Sequence, residues 1–597
     1  MNSLQTLPTD VLINIFTLLS IPDILNLRQT NKLFLALSKQ SIVWINARKS
    51  EIFSKLWPCE MAKDDKDEEK TTRNAWRLGR RWASDTEKAM PVRRERSFMT
   101  NTSTAVSDIR FLVVHGRKTL LTVSKGIWSV LTLWDIDESD DENETKLSEW
   151  SPRGGLFTGL AINEDANVEE QLAVSIAKNG SHETLLLEID TTFSLTPKRR
   201  IPSPEGASPL RALAFSGSVL ALADDLSHTT IFDWATGEMA ILTEDVDEER
   251  EGSTGTANWK HNIAMQVVFA HRSVLVVRAR SLSLFQQPSL SPSPSNIEGS
   301  IHEHLRLRVE TEVVEFENEP QLSMRPLIPT YTPIAMHSFG WVDGIDVVLT
   351  SPKPSSPRAD LQVFVRAESD NPWRSGEGSI DVYVLRASPD FDENDGPQVQ
   401  TLPLESSSAL SPYIFPPYPL ASLPTPRGSL RCNTVRAGSC STALWVCPLA
   451  TTSIHSTNRT AGLVVDQWAV DGAAGLDIYG VGVGASVGSV EYGDSSTLNR
   501  HGDTGLVDGN GIDIYGIGIG VGDQSSQIVT SSTAITRRGE SLVAGVFPGP
   551  FLDSPEPRMK QVLGNMGSNG CTAMDYDEVS GRVAMGLGDG SVWVGYL

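Results

Sequence analysis

From Ile109 to Leu597 the apolar residues recur with a period of two, and almost no stretch reads as a helix. IRFLVVHGRKTLLTVSKGIWSVLTLWDID, Ile109 to Asp137, reads as three strands parted by polar turns. The design returns from Pro209 to Leu242 and again from Cys571 to Leu597. In the last copy Ser580-Gly581 and Asp589-Gly590 supply the positive-φ residues that hairpin turns need. Less regular clusters lie at Leu156–Asp190, Ile263–Phe285, Ile334–Ala387 and Leu430–Asp466.

About seven strand clusters of three or four strands each, with a Trp134-Asp135 echo, indicate a β-propeller. TIFDWATGE, from Thr230 to Glu238, resembles the third strand of a WD-repeat blade and its turn. The resemblance is degenerate, because no blade carries the Gly-His half of the signature in order. Seven blades need roughly 300 residues, and the chain after Ala105 is much longer. The surplus is expected as long disordered insertions near 137–150, 244–258, 287–300, 351–360, 402–428 and 470–535. Acidic runs (DESDDENE, EDVDEERE) and Pro-Ser stretches mark them, since proline removes the ladder donors of a central strand.

The front of the chain is different. From Val11, at 100° per residue, Val11, Leu12, Ile15, Phe16, Leu18 and Leu19 fill an arc of roughly 160°. One core needs only about 100° of apolar stripe. Pro8 suits a first helical position, and Pro22 repeats the device after Ser20 with Asp23 in the first turn. Asn31 can cap a third short helix. Three such helices cannot bury enough surface to stand alone, so the excess face is read as a docking surface, the competing reading being that it packs on the remainder of this chain.

These residues resemble the F-box family. Leu7-Pro8, Asp10, Leu12, Ile15, Phe16, Leu19, Pro22, Asp23, Leu25, Arg28, the T-N-K-L-F run from Thr30, and Trp44 carry the resemblance. Thr30-Asn31 stands where the family often has Val-Ser, and Ile24 where Leu is usual. The resemblance implies binding to the Skp adaptor of a Skp–cullin–F-box ubiquitin ligase, through Leu7, Pro8, Leu12, Ile15, Phe16, Leu19, Pro22 and Leu25. Leu27 and Phe34 are expected in the core of the helices. The division is then an F-box at 1–48, a helical charged linker at 49–104, and the propeller at 105–597. Within the linker, DDKDEEK (Asp64–Lys70) reads as a solvated segment or loop. TTRNAWRLGRRW, Thr71 to Trp82, is similar to the stretch that bridges helices and propeller in F-box proteins with WD repeats; stacking on nucleic acid is the competing reading.

A net charge of −23 argues against general nucleic-acid binding and against docking on anionic membranes. Five sparse cysteines suit reduced thiols of a cytoplasmic or nuclear protein, and the amino terminus lacks the features of a secretory signal. Gly484-Ala485-Ser486-Val487-Gly488 matches the nucleophile-elbow pattern, with Asp494 and His501 following, but no helix can follow Ser486 as an elbow requires. Gly482-Val483-Gly484 fails as a dinucleotide loop on the same count. His302 and His304 have metal-like spacing without a third ligand, and Cys432, Cys440 and Cys447 fit no zinc pattern. GLDIYGVGVG and GIDIYGIGIG, from Gly475 and Gly511, duplicate one another as an inserted ribbon of unassigned role.

No cofactor and no metal are expected. The leading reading is a non-catalytic substrate-recognition adaptor, with Skp and a cullin on one side and an unidentified protein substrate on the other. The alternatives are a Skp-binding scaffold outside ubiquitination and, remotely, a hydrolase using Ser486.

Overall fold

A computed structural model of the chain describes residues 7–60, 67–85, 89–100, 104–136, 145–203, 209–225, 228–244, 262–292, 328–340, 342–350, 359–367, 378–389, 391, 411–426, 430–449, 539–566 and 570–597. Five helices come first: α1 (Thr9–Thr17), α2 (Ile21–Arg28), α3 (Lys32–Leu37), α4 (Ser41–Glu51) and α5 (Glu68–Ala83). Seven sheets follow, six of four strands and one of six, and they are the seven blades of a β-propeller.

Blades run antiparallel from inner to outer strand in sequence order, except that blade 7 borrows its outer strand from the start of the β region and blade 3 adds Ser291–Pro292 antiparallel and Thr330–Tyr331 parallel to its fourth strand, Glu238–Leu242. Blade 1 is Val106–Val114, Arg117–Lys125, Ser129–Asp135 and Thr145–Trp150. Blades 2 to 6 open with inner strands Leu156–Ile162, Arg211–Ser216, Ala264–Ala270, Val342–Leu349 and Val435–Ala437. Blade 7 is Cys571–Asp577, Arg582–Leu587 and Ser591–Tyr596, completed by Arg94–Met99. That last strand pairs Arg94 with Tyr596 and Met99 with Ser591, so the two ends of the β region close one sheet. Closure leaves the ring no open seam where blades could part.

Second strands such as Ser273–Arg278 and Thr442–Pro448 are buried at every residue, because a blade is covered on both faces by its neighbours. The outermost Arg94–Met99 is mostly exposed. A separate apolar cluster fills each gap between blades, as with Leu121 and Leu131 against Leu172 and Val174 between blades 1 and 2. Six of the seven inner strands carry a β-bulge near their start, the repeat that sequence alone obscures. Polar clamps join inner strands: Asp575 accepts from Phe111 N (2.8 Å), Asp346 from Ala437 N (2.9 Å), and Gln266 Oε1 from Val347 N (3.0 Å).

Several expectations change. The propeller begins at Arg94, not 105. Thr145–Trp150 and Tyr418–Thr425, expected inside insertions 137–150 and 402–428, are outer strands of blades 1 and 5. An outer edge tolerates Pro419 and Pro424 because one side of it needs no ladder donor. The cluster Ile334–Ala387 divides between blades, with Ala335–Ser338 closing blade 4 and Val342–Leu349 opening blade 5. Blade 6 takes its third and fourth strands from Glu540–Val546 and Arg558–Leu563, far beyond Leu430–Asp466. The Gly-rich duplication, Gly482, Ser486, Asp494, His501, His302 and His304 lie outside the described residues. No described helix is long and apolar enough to cross a membrane.

Candidate functional site: the amino-terminal helices

The opening helices are capped much as their punctuation suggests. Pro8 occupies the N-cap of α1, one residue before the first helical position expected for it. Ser20 caps α2, accepting from Asp23 N, and Pro22 follows at the second helical position. Asn31 Oδ1 accepts Leu33 N at the start of α3 (2.9 Å). The Ser20 and Asn31 caps each satisfy a donor that the first turn leaves without a partner, whereas Pro8 makes no side-chain cap bond.

Arg28 and Trp44 tie the helices together. Trp44 is fully buried and donates from Nε1 to Ser38 O (2.6 Å). The Arg28 guanidinium lies 5.5 Å from the Trp44 ring, donates from Nε to Ser38 Oγ (2.8 Å), and pairs with Glu69 of α5 at 2.6 Å. A second, largely buried pair joins Arg48 of α4 to Glu68 of α5 at 2.7 Å. Glu68 and Glu69 belong to the run read as a solvated loop; the two arginines make the first turn of α5 from it instead. Burying a carboxylate is tolerable only with such a partner.

The expected docking residues divide into three groups. Leu12 and Phe16 are 2% and 1% exposed, so they are core and hold the face up from behind. Phe16 meets Phe34 edge-on at 6.0 Å, and Phe34 is core as expected. Ile15, Leu19, Pro22 and Leu25 are half-buried, as is Leu27; Leu7 and Pro8 are exposed. Exposed too are apolar residues that the motif did not single out, Val11 (42%), Leu18 (87%) and, on later helices, Leu35 and Ile42, together with Leu33 of the T-N-K-L-F run. The width of the apolar arc pointed to Val11 and Leu18. Seven of the eighteen large apolar residues exposed among the described residues fall within Leu7–Phe53.

The helices are fused to the propeller. Their core runs without a break from Leu12, Phe16 and Trp44 through Trp57, Leu78 and Trp82 into the cluster between blades 6 and 7, with Leu444, Val546 and Met585. Trp82 stacks on Phe551 (6.2 Å) and meets Tyr576 edge-on (6.3 Å). Trp57 lies 5.8 Å from Phe551 and donates from Nε1 to Pro550 O (3.1 Å). Lys560 Nζ binds Arg81 O (2.6 Å) and Ser84 O (2.8 Å), placing a cation at the negative end of α5. The hairpin at Gly581, φ +68°, sits on Leu78, where even a Cβ would come within 2.9 Å of a methyl group. Cys440, in the first hairpin of blade 6, donates to Leu56 O (3.2 Å).

That hairpin is held by Glu578, which is buried and accepts Thr442 Oγ1 (2.6 Å), Ser439 Oγ (3.0 Å) and Cys440 N (3.1 Å). Burial pushes its carboxyl above the usual range despite these donors. Burial also lifts the Cys59 thiol to about 11, the opposite of what a reactive thiol needs.

Residues 4–49 match the family model for F-box-like domains. A search of curated proteins found no match. Among solved structures, the β-propeller domain of Cps50 (Swd1) from Myceliophteria thermophila aligns over 84% of this chain and 99% of its own, at 8% identity and a TM-score of 0.38. The chain carries an F-box-like domain at residues 4–49, welded through α5 to a seven-bladed β-propeller.

Proposed function

We propose that this chain is the substrate-recognition adaptor of a Skp–cullin–F-box ubiquitin ligase, with no chemistry of its own. Its amino-terminal helices take the Skp adaptor, and its propeller presents a protein substrate. The observation that carries the reading is the apolar surface left open on helices that already share a core with the propeller. Leu7, Pro8, Val11 and Leu18 form its accessible part, with Ile15, Leu19, Pro22 and Leu25 half-buried beside them. Leu12 and Phe16 support that surface from within. Positioning is the whole mechanism: a substrate held near the charged ubiquitin carrier reacts at a raised effective concentration. A rigid joint between the two modules serves this better than a flexible tether.

Co-expression with the Skp adaptor and a cullin tests the proposal. The full chain is expected to recover both, and Leu7→Ala with Val11→Ala to lose them. Truncating one interface hot spot costs about 2 kcal/mol or more, roughly thirtyfold in affinity. Recovery of the adaptor without cullin would move the reading to a scaffold outside ubiquitination. Undiminished recovery by the double variant would remove the docking face.

A further inference from the structure

One face of α5 accounts for its part in the joint, and the opposite face is basic. At 100° per residue, Thr72, Ala75, Leu78, Gly79 and Trp82 occupy about 120° of the helix, all buried. Lys70, Arg73, Arg77, Arg80 and Arg81 fall within about 100° centred on the far side. Arg81 is engaged with Pro91 O, and Arg73 pairs with Glu69 (2.9 Å). Arg80 lies over the Trp76 ring at 5.6 Å, a contact that leaves its charge uncompensated. Among the described residues, Arg77, Arg80 and the nearby Arg93 make no ion pair with a carboxylate. Burial, then the charges of Arg73 and Arg93, holds the Arg77 pKa below its usual value, so the guanidiniums crowd one another. A chain of net charge −23 thus concentrates unneutralised positive charge on one helix face.

We infer that the outer face of α5, built on Arg73, Arg77, Arg80 and Arg93, binds an acidic segment of a partner protein. Arg73 and Arg80 are about 10 Å apart along the helix, the length of three or four residues of extended chain. Alternate Asp or Glu residues of such a segment would each face a guanidinium, whose planar fork takes a carboxylate through two hydrogen bonds. The short stripe fits a peptide better than a nucleic acid, because a longer polyanion would meet the repulsion of the surrounding acidic protein. The inference stands apart from adaptor capture, which uses other residues.

Fluorescein-labelled octaglutamate, titrated by anisotropy against the full-length protein, tests it. Binding is expected at low salt and should fade by about 0.3 M NaCl, as exposed charge pairs are screened. Arg77→Glu with Arg80→Glu should weaken it roughly tenfold or more, while Arg153→Glu, on the exposed turn between blades 1 and 2, leaves it intact. Arg77→Gln with Arg80→Gln, a milder pair, should act in the same direction with an unchanged circular dichroism melt. No binding at low salt, an equal loss in Arg153→Glu, or tighter capture of an oligouridylate through the same arginines would each overturn the proposal.

Discussion

Replacing Trp82 by alanine is the sharpest way to ask whether helices and propeller form one cooperative unit. The indole is 1% exposed and fills the joint between Phe551 and Tyr576. Truncating a buried tryptophan costs ~3–5 kcal/mol in transfer and cavity terms. Native stabilities are commonly about 5–15 kcal/mol, so the loss is a large share of the whole. A unit this large shifts at most about 2 °C per kcal/mol, which puts the expected fall in Tm at roughly 5–10 °C. The assay is a thermal melt of the full chain followed by two probes: far-ultraviolet circular dichroism, and tryptophan fluorescence, to which ten of the thirteen remaining tryptophans contribute from beyond residue 105. Both should move together, since Trp82 belongs to the cluster that also holds Leu444 and Met585 of the blades. If Trp82→Ala splits off an early helical transition and leaves the main fluorescence transition where it was, the shared core is not a cooperative core, and the rigid joint falls with it.

Gly79→Ala should destabilise, against helix propensity. Alanine gains about 1 kcal/mol over glycine in a helix, but its Cβ would lie 2.1 Å from Trp57 Cε3, and displacing that indole costs ~1–3 kcal/mol; a denaturant titration reading a lower midpoint checks it, and an unchanged or higher midpoint refutes it. Glu578→Gln should flatten the pH dependence of stability. The folded carboxyl sits above its usual 4.5, so the native state holds the proton longer than the unfolded chain, and stability present at low pH is lost as pH rises through the folded value. Melts between about pH 5 and 8 should therefore drop less in the variant than in the parent, and parallel slopes would show that Glu578 is not the group responsible.

Much of this architecture was legible because blades repeat one demand. A strand covered on both faces reads as an unbroken apolar run, and SVLVVR or TALWVCP can be little else. The closing strand was hidden for the converse reason. Arg94–Met99 is an edge with charged residues at three of its six positions, and its partner is at the other end of the chain. Blade 6 was split because its second and third strands are separated by the long segment between Pro448 and Glu540. In the helices, periodicity found the apolar arc but could not assign its sides. Leu12 and Phe16 turn inward only because α3 and α4 supply Phe34 and Trp44 to meet them. Glu68 was misread from its charged neighbours, since nothing local announces Arg48, twenty positions earlier, as its buried partner.

The joint also orients the two modules. Because neighbouring strands of a blade alternate in direction, the hairpins joining first to second and third to fourth strands emerge at one end of the ring, and the remaining connections at the other. The helices rest on the first end: on Cys440 and Phe551 of blade 6, on Gly581 of blade 7, and through Glu60 on Lys118 of blade 1 at 2.8 Å. The opposite end keeps the hairpin at Ile127 and Trp128 of blade 1, exposed at 89% and 42%. A substrate taken there would be held at a fixed distance from whatever covers Leu7, Val11 and Leu18, with no hinge between. On the proposed function, fixed geometry limits which lysines of that substrate can reach a ubiquitin carrier, so a Gly-Ser insertion between Ala83 and Met90 combined with Trp57→Ala and Trp82→Ala, which removes the packing on Phe551, should broaden the pattern of modified lysines without changing substrate affinity. An unchanged pattern, read by peptide mass mapping, would show that the joint contributes stability and nothing to selection.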